Sequence, residues 1–249
     1  MKYPIFFLII FLTNIIQGIT GFAGTILAMP PGLMLVGYET AKPILNVLGL
    51  LSGVYVWITN GKQADKKELK KVVLVMAAGM AAGFGLKALF AGKEEILYKC
   101  LGIFVMGLAV SGLHISFKAR GKSKQEEIQP EGNGGKGYAL LISSGVVHGM
   151  FVCGGPLLIG YLSGAVKDKV SFRATISTVW IILNSVILID DIRVGLWTPG
   201  LVQTQVTAVP FMIAGMALGT RLYQRMSQEL FMKITYILLF ISGISLLVK

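Results

Sequence analysis

Ten apolar runs, each closed off by charge, glycine or proline, occupy almost the whole chain: residues 3–19, 22–37, 41–60, 72–91, 95–117, 138–153, 155–166, 171–190, 200–222 and 229–248. A chain divided in this way keeps no stretch for a water-soluble core. Of its 249 residues, 54% are hydrophobic and 14% charged, whereas about a quarter are charged in a soluble domain; the mean hydropathy is +0.73. One polytopic membrane bundle is the expected fold. Helices are the expected element, because backbone groups in lipid must be satisfied within a helix or a closed barrel. No stretch alternates in hydrophobicity as barrel strands do. Cys100 and Cys153 both sit in apolar runs, which excludes a disulfide scaffold. The net charge of +11 does not point to nucleic acid, since the basic residues gather in short loops between the runs, as membrane orientation requires. Lys2 precedes a short apolar run, yet no small-residue cleavage site follows it, so the first run is read as part of the mature chain and not as a signal peptide.

Four runs, one pair opening each half, are too short for a bilayer core of about 30 Å. A glycine-rich knot separates the members of each pair: Gln17-Gly18-Ile19-Thr20-Gly21-Phe22-Ala23-Gly24-Thr25 and His148-Gly149-Met150-Phe151-Val152-Cys153-Gly154-Gly155-Pro156. Glycine lets the backbone leave the helix, and short segments broken by Gly or Pro at corresponding places in two halves point to the binding site of a transporter. A shift of 131 residues places Gly18 on Gly149, Gly24 on Gly155 and Lys42 on Arg173. Further along, Gly79-Met80-Ala81-Ala82-Gly83 matches Gly215-Met216-Ala217-Leu218-Gly219, and Glu95 and Lys99 match Glu229 and Lys233. The chain reads as a duplication: a first membrane repeat over 1–117, a linker over 118–137 and a second repeat over 138–249. Each repeat is expected to hold a broken or re-entrant helical hairpin followed by three spanning helices. Counting spans makes the two repeats inverted. Lys62, Lys66, Lys67, Lys70, Lys71 and most linker charges fall on one side, which the positive-inside rule makes cytoplasmic. Asp190 and Asp191 are expected in an outward loop, and both termini outside.

On the two knots the chain resembles the sulfite exporter TauE/SafE family over its whole length. The residues carrying the resemblance are Gly18-Ile19-Thr20-Gly21-Phe22-Ala23-Gly24 with Ala28-Met29-Pro30, and His148-Gly149 with Cys153-Gly154-Gly155-Pro156-Leu157-Leu158. Ala23 and Thr25 depart from the fuller glycine cluster common in that family, and Cys153 from its usual small residue. The resemblance implies a multi-pass secondary transporter in the cell (plasma or inner) membrane, with sulfite, thiosulfate, a sulfonate or a similar small anion as substrate. It implies no enzyme and no cofactor.

A broken helix offers backbone N–H groups and a partial positive charge at the start of its second piece, which suits an oxyanion. The candidate substrate-binding residues are accordingly Gly18, Thr20, Gly21, Phe22, Gly24 and Thr25 in the first knot, His148, Gly149, Cys153, Gly154 and Gly155 in the second, and Arg173. The alternative for the glycines is close helix packing. Lys42 and Arg173 hold corresponding positions and can draw anions inward or close a gate; the simpler reading has both snorkel to an interface. Arg173, set deeper, is the stronger candidate. Gln17, Lys42, Asn46, Ser177 and Asn184 form a candidate path or gate. His148 can hydrogen-bond an anion or carry a coupling proton. No zinc-hydrolase, nucleophile-elbow or P-loop motif is present, so no metal site is expected and transport must draw on gradients. The leading expectation is a transporter of a sulfur oxyanion or organosulfonate working by alternating access at the broken helices. An intramembrane sulfur-handling enzyme or carrier partner using Cys153, with His148 as its base, is the alternative from another class, and a passive channel the third. The partners implied are the lipid bilayer, a small anion and a coupling proton or ion, with no nucleic acid; a homo-oligomer is compatible with the sequence.

The charge pattern makes one direct prediction. Single cysteines replacing Lys67 or Gly134 should resist an impermeant thiol reagent added outside intact cells, and labelling of either would reverse the assigned orientation.

Overall fold

The computed structural model describes residues 2–20, 23–90, 93–118, 134–166 and 168–223, with the single positions 237, 240, 244 and 247. Among the described residues there are nine α-helices and no strand: α1 Lys2–Thr20, α2 Gly24–Val36, α3 Tyr38–Asn60, α4 Lys66–Leu89, α5 Glu94–Lys118, α6 Gly135–Phe151, α7 Gly155–Ala165, α8 Lys169–Arg193 and α9 Pro199–Tyr223. Each of the first nine apolar runs has become one helix. The tenth run, 229–248, lies outside the described residues apart from the four single positions, as does most of the linker. Segments of α3, α4, α8 and α9 are long and apolar enough to cross a membrane. By contrast α2 has 13 residues and α7 has 11, lengths of about 20 and 16 Å at helical rise, well short of a bilayer core of about 30 Å.

The helix ends follow local chemistry. Gly37, at φ +80°, takes a conformation that only glycine adopts without strain; it stops α2 and starts α3 at the next residue. At the start of α4 the Asp65 Oδ1 accepts from the backbone N–H of Lys67 and of Glu68, both at 3.0 Å. Asp168 caps α8 by accepting from Ser171 N at 2.7 Å. Pro199 opens α9, where its missing N–H has no helical partner to lose.

The chain divides into two compact units, one of residues 1–38, 90–128 and 210–249 and one of residues 39–89 and 129–209. In the first unit α1, α2, α5 and the C-terminal part of α9 bury Phe6, Ile10, Met29, Leu33, Leu101 and Met212, and Phe7 stacks on Phe211 with ring centroids 5.4 Å apart. In the second, α3, α4, α6, α7 and α8 bury Leu45, Met76, Leu141, Leu162 and Leu183. Leu74, Leu89, Ile189 and Val206 are exposed, as lipid-facing side chains should be.

Both units are built on the same helix crossing. In the second unit, a Cβ placed on Gly83 of α4 would lie 2.5 Å from the Val146 carbonyl oxygen, one on Gly149 of α6 would lie 2.7 Å from that of Met80, and one on Gly79 would strike that of Ile142. In the first unit, Gly219 of α9 faces the Ile15 carbonyl, Gly18 of α1 faces that of Met216, and Gly215 faces that of Phe11. These are the same three contacts. Phe11, Ile15 and Gly18 become Ile142, Val146 and Gly149 on adding 131, and Gly79, Met80 and Gly83 become Gly215, Met216 and Gly219 on adding 136. The repeated contact is compatible with the duplication read from the sequence. It is also crosswise, because each knot-bearing helix packs on the glycine helix of the other half of the chain.

Backbone-to-backbone approach of this kind leaves no room for a side chain. Gly83→Val should lower stability by about 1–3 kcal/mol, as overpacking does, whereas Gly85→Ala on the same helix, with nothing within 4 Å of its added Cβ, should cause no loss. Thermal unfolding in detergent reads both, and equal melting temperatures would remove the crossing from the list of stabilising contacts.

Candidate functional site

The last turn of α6 leads into the second knot. Val152 N donates to His148 O at 2.8 Å, and Val152 itself stands at φ 57°, where a β-branched residue is strained. The chain then folds back over α6. Ser144 Oγ donates to the Gly154 carbonyl at 2.7 Å, and a Cβ on Gly154 would lie 2.9 Å from that of His148 and would also strike the Ser144 carbonyl. Gly154 thus serves close approach, and the fold-back confines His148.

His148 is buried, and its ring stacks on Trp180 with centroids 4.9 Å apart. Its Nε2 lies 2.8 Å from Asn184 Oδ1. The orientation of that amide follows from its other end: Asn184 Nδ2 donates to Asn46 O at 3.4 Å, while Asn46 Nδ2 donates to Asn184 O at 3.0 Å. With Oδ1 turned to the ring, Nε2 must be the donor, and in the neutral imidazole Nδ1 is then an acceptor. His148 Nδ1 and Asn46 Oδ1 are buried without a partner among the described residues.

One turn before Asn46 stands Lys42, wholly buried, its Nζ paired with Asp191 Oδ1. This corrects two expectations. Lys42 does not snorkel, and Asp191 is not in an outward loop. The reason is that α8 runs on to Arg193, past the end of its apolar run, and carries Asp191 two turns beyond Asn184 into the interior. An ammonium buried in a membrane helix requires a counter-charge, and Asp191 supplies it. On α3 and α8, then, the pairs Lys42 with Asp191 and Asn46 with Asn184 form successive rungs.

The first knot, in the other unit, repeats the fold-back. Gly24 N donates to Gln17 Oε1 at 2.7 Å, and a Cβ on Gly24 would lie 2.8 Å from Gln17 Cβ and 3.1 Å from Thr13 O. Thr13 and Gln17 become Ser144 and His148 on adding 131, yet Gly24 and Gly154 differ by 130. The first knot is one residue longer between equivalent contacts. Gly21 and Phe22 lie outside the described residues, as does the side chain of Thr20; Thr25 is half-buried on α2. Gly18 and Gly149 sit at the helix crossings described above, and Gly155 opens α7. Arg173 is half-buried with its Nε lacking a partner among the described residues. Ser177 Oγ donates to Arg173 O of its own helix at 2.7 Å.

Glycine-broken hairpins in both halves of the chain are accompanied by buried charge and amides in the second unit, on a helical frame that lipid can surround. The family model for the sulfite exporter TauE/SafE matches residues 6–246. The chain belongs to that family. No curated protein and no solved structure matches it.

In this TauE/SafE chain the covalent use of Cys153 finds no geometric support. Cys153 is 1% exposed, and His148 engages Asn184 through Nε2 while Nδ1 bonds to nothing described, so the nucleophile-to-base hydrogen bond of covalent catalysis is missing among the described residues. Buried residues outside the sequence-based candidate set include Asp191, Trp180 and Gln205, whose two amide atoms both lack partners among the described residues. Asp191 had a usable signal, since its seven-residue spacing from Asn184 puts the two on one helix face.

Removing one member of a buried pair strands the other. Lys42→Met should destabilise this TauE/SafE protein by about 3–5 kcal/mol, and Lys42→Met combined with Asp191→Leu should recover most of that loss. Unfolding midpoints of the two single variants and the double variant close the cycle; additive effects would dissolve the pair as an energetic unit.

Proposed function

We propose that the protein carries a small sulfur oxyanion, sulfite or an organosulfonate, across the cell membrane by alternating access, with Lys42 answering the anion's charge and His148, Asn46 and Asn184 shaping its site. The observation that carries this reading is the buried ammonium of Lys42, one helical turn from Asn46 and linked through it to Asn184 and His148. Ionisable groups are costly in a bilayer, and an anion that answers the charge of Lys42 accounts for its presence. Membership of a family described as sulfite exporters supports a sulfur oxyanion as that ligand. Arg173, with its buried unpartnered Nε, is a second cation for the path. The knots serve as frame: the Gly24 N–H is engaged by Gln17, and Gly18, Gly149 and Gly154 sit at close approaches. Thr25 and Gly155, at the N-termini of α2 and α7, keep the helix-dipole contribution to an anion. No nucleotide motif is present in the sequence, so the direction of net flux follows the gradients.

Uptake into proteoliposomes across sulfite, thiosulfate, sulfate, methanesulfonate and acetate tests the reading. Flux of a sulfur oxyanion should saturate, and His148→Ala and Asn184→Ala should each weaken apparent affinity by about tenfold, equivalent to about 1.4 kcal/mol. Unchanged affinity in both variants would move the site elsewhere, and a flux that never saturates would make the protein a channel.

A further inference from the structure

The cluster around Lys42 has an unexpected polarity. Its side-chain atoms without partners among the described residues are Asn46 Oδ1, Asp191 Oδ2 and His148 Nδ1. With the tautomer fixed by Asn184, all three are acceptors. An oxyanion also presents acceptors, so no hydrogen bond can form between it and these atoms as they stand. The one strong donor present, the Lys42 ammonium, is held by the Asp191 carboxylate. The site becomes complementary to an anion only when a proton enters it.

We propose that Asp191 is the proton site that couples anion movement to proton movement, in the same direction, through release of Lys42. The inference rests on the anion-transport reading above. A proton binds the Asp191 carboxylate to give the neutral acid; no other bond forms or breaks. The ammonium of Lys42 keeps its three protons, loses its counter-charge and takes the anion in its place, while the new O–H adds a donor. On release the anion leaves Lys42, the proton leaves Asp191, and the pair closes again. One anion and one proton travel together, so a monovalent anion moves without net charge.

The surrounding charges agree with this assignment. Lys87 on α4 and Asp190 on α8 act on both members of the pair, and His148 on α6 feels Lys42. Lys87 and Asp190 carry opposite charges, so each opposes the other's effect on the pair, with Lys87 acting the more strongly. A proton on His148 would set a second positive charge beside Lys42. A proton on Asp191 leaves a single one, the charge that a monovalent anion neutralises.

The test uses the full-length protein in proteoliposomes clamped at zero membrane potential, with a lumenal pH dye and whichever of sulfite, thiosulfate and methanesulfonate moves fastest. Buffering by the probe itself is subtracted. Wild type should carry about one proton per anion, and its apparent affinity should improve by up to tenfold for each unit of pH lowered, as reciprocal linkage requires. In Asp191→Asn the proton-to-anion ratio should fall towards zero; a merely structural aspartate would lower both fluxes together and leave the ratio unchanged. Anion flux without protons in wild type, a ratio preserved in Asp191→Asn, or an affinity flat with pH overturns the coupling role while leaving the transport reading intact. Should Asp191→Asn fail to fold, the wild-type ratio and pH dependence still decide. No flux of any of the three anions overturns the transport reading itself.

Discussion

Contact of backbone with backbone, at the crossing of α4 with α6 and of α1 with α9, is the constraint to which the other features conform. Lipid supplies no hydrophobic drive to bring helices together, so association must come from close packing, and glycine permits the closest packing available. Gly79, Gly83 and Gly149 bring α6 against α4 at carbonyl distance, and Gly18, Gly215 and Gly219 do the same for α1 and α9. Once α6 is fixed, its final turn fixes the knot that follows, and the knot fixes His148. An ionisable side chain buried among helices is thus held by residues that have no side chain at all.

The helical organisation was legible because it depends on periodicity and length, both local properties. Nine apolar runs became nine helices, and even the shortness of α2 and α7 could be counted from the sequence. The glycine motifs are legible as matching pairs, although only the structure shows that α6 packs on α4 and α1 on α9, since sequence similarity pairs motifs and is silent on which helices touch. The site was legible in part. His148, Asn46 and Asn184 stood out as polar residues in apolar runs, and they meet. Lys42 was noticed and assigned the wrong surroundings, because a lysine near a helix end usually reaches for water and its actual partner is 149 residues away in sequence. Asp191 was set aside for standing next to Asp190 at the end of an apolar run. Hydropathy drops there for either of two reasons, a loop or a buried charge, and the choice between them depends on a tertiary contact.

Buried charge in this molecule is arranged as a closed balance. Lys42 and Asp191 neutralise each other away from solvent, and the neighbouring amides direct their donors to each other's backbone, with Asn184 Oδ1 taken by His148 and Asn46 Oδ1 without a partner among the described residues. Such an arrangement is stable as long as nothing enters it, and that is the condition a resting transporter must satisfy if it is not to leak ions down a standing gradient.

The extra residue in the first knot has a consequence for the protein's symmetry. The extra residue falls between Gln17 and Gly24, where the other knot runs from His148 to Gly154, and the glutamine of one knot stands where the other has a histidine. The two halves share a scaffold without sharing a surface. The fold-back that closes on His148 therefore offers an aromatic, ionisable side chain where its counterpart offers an amide, so a substitution made in one knot has no exact counterpart in the other.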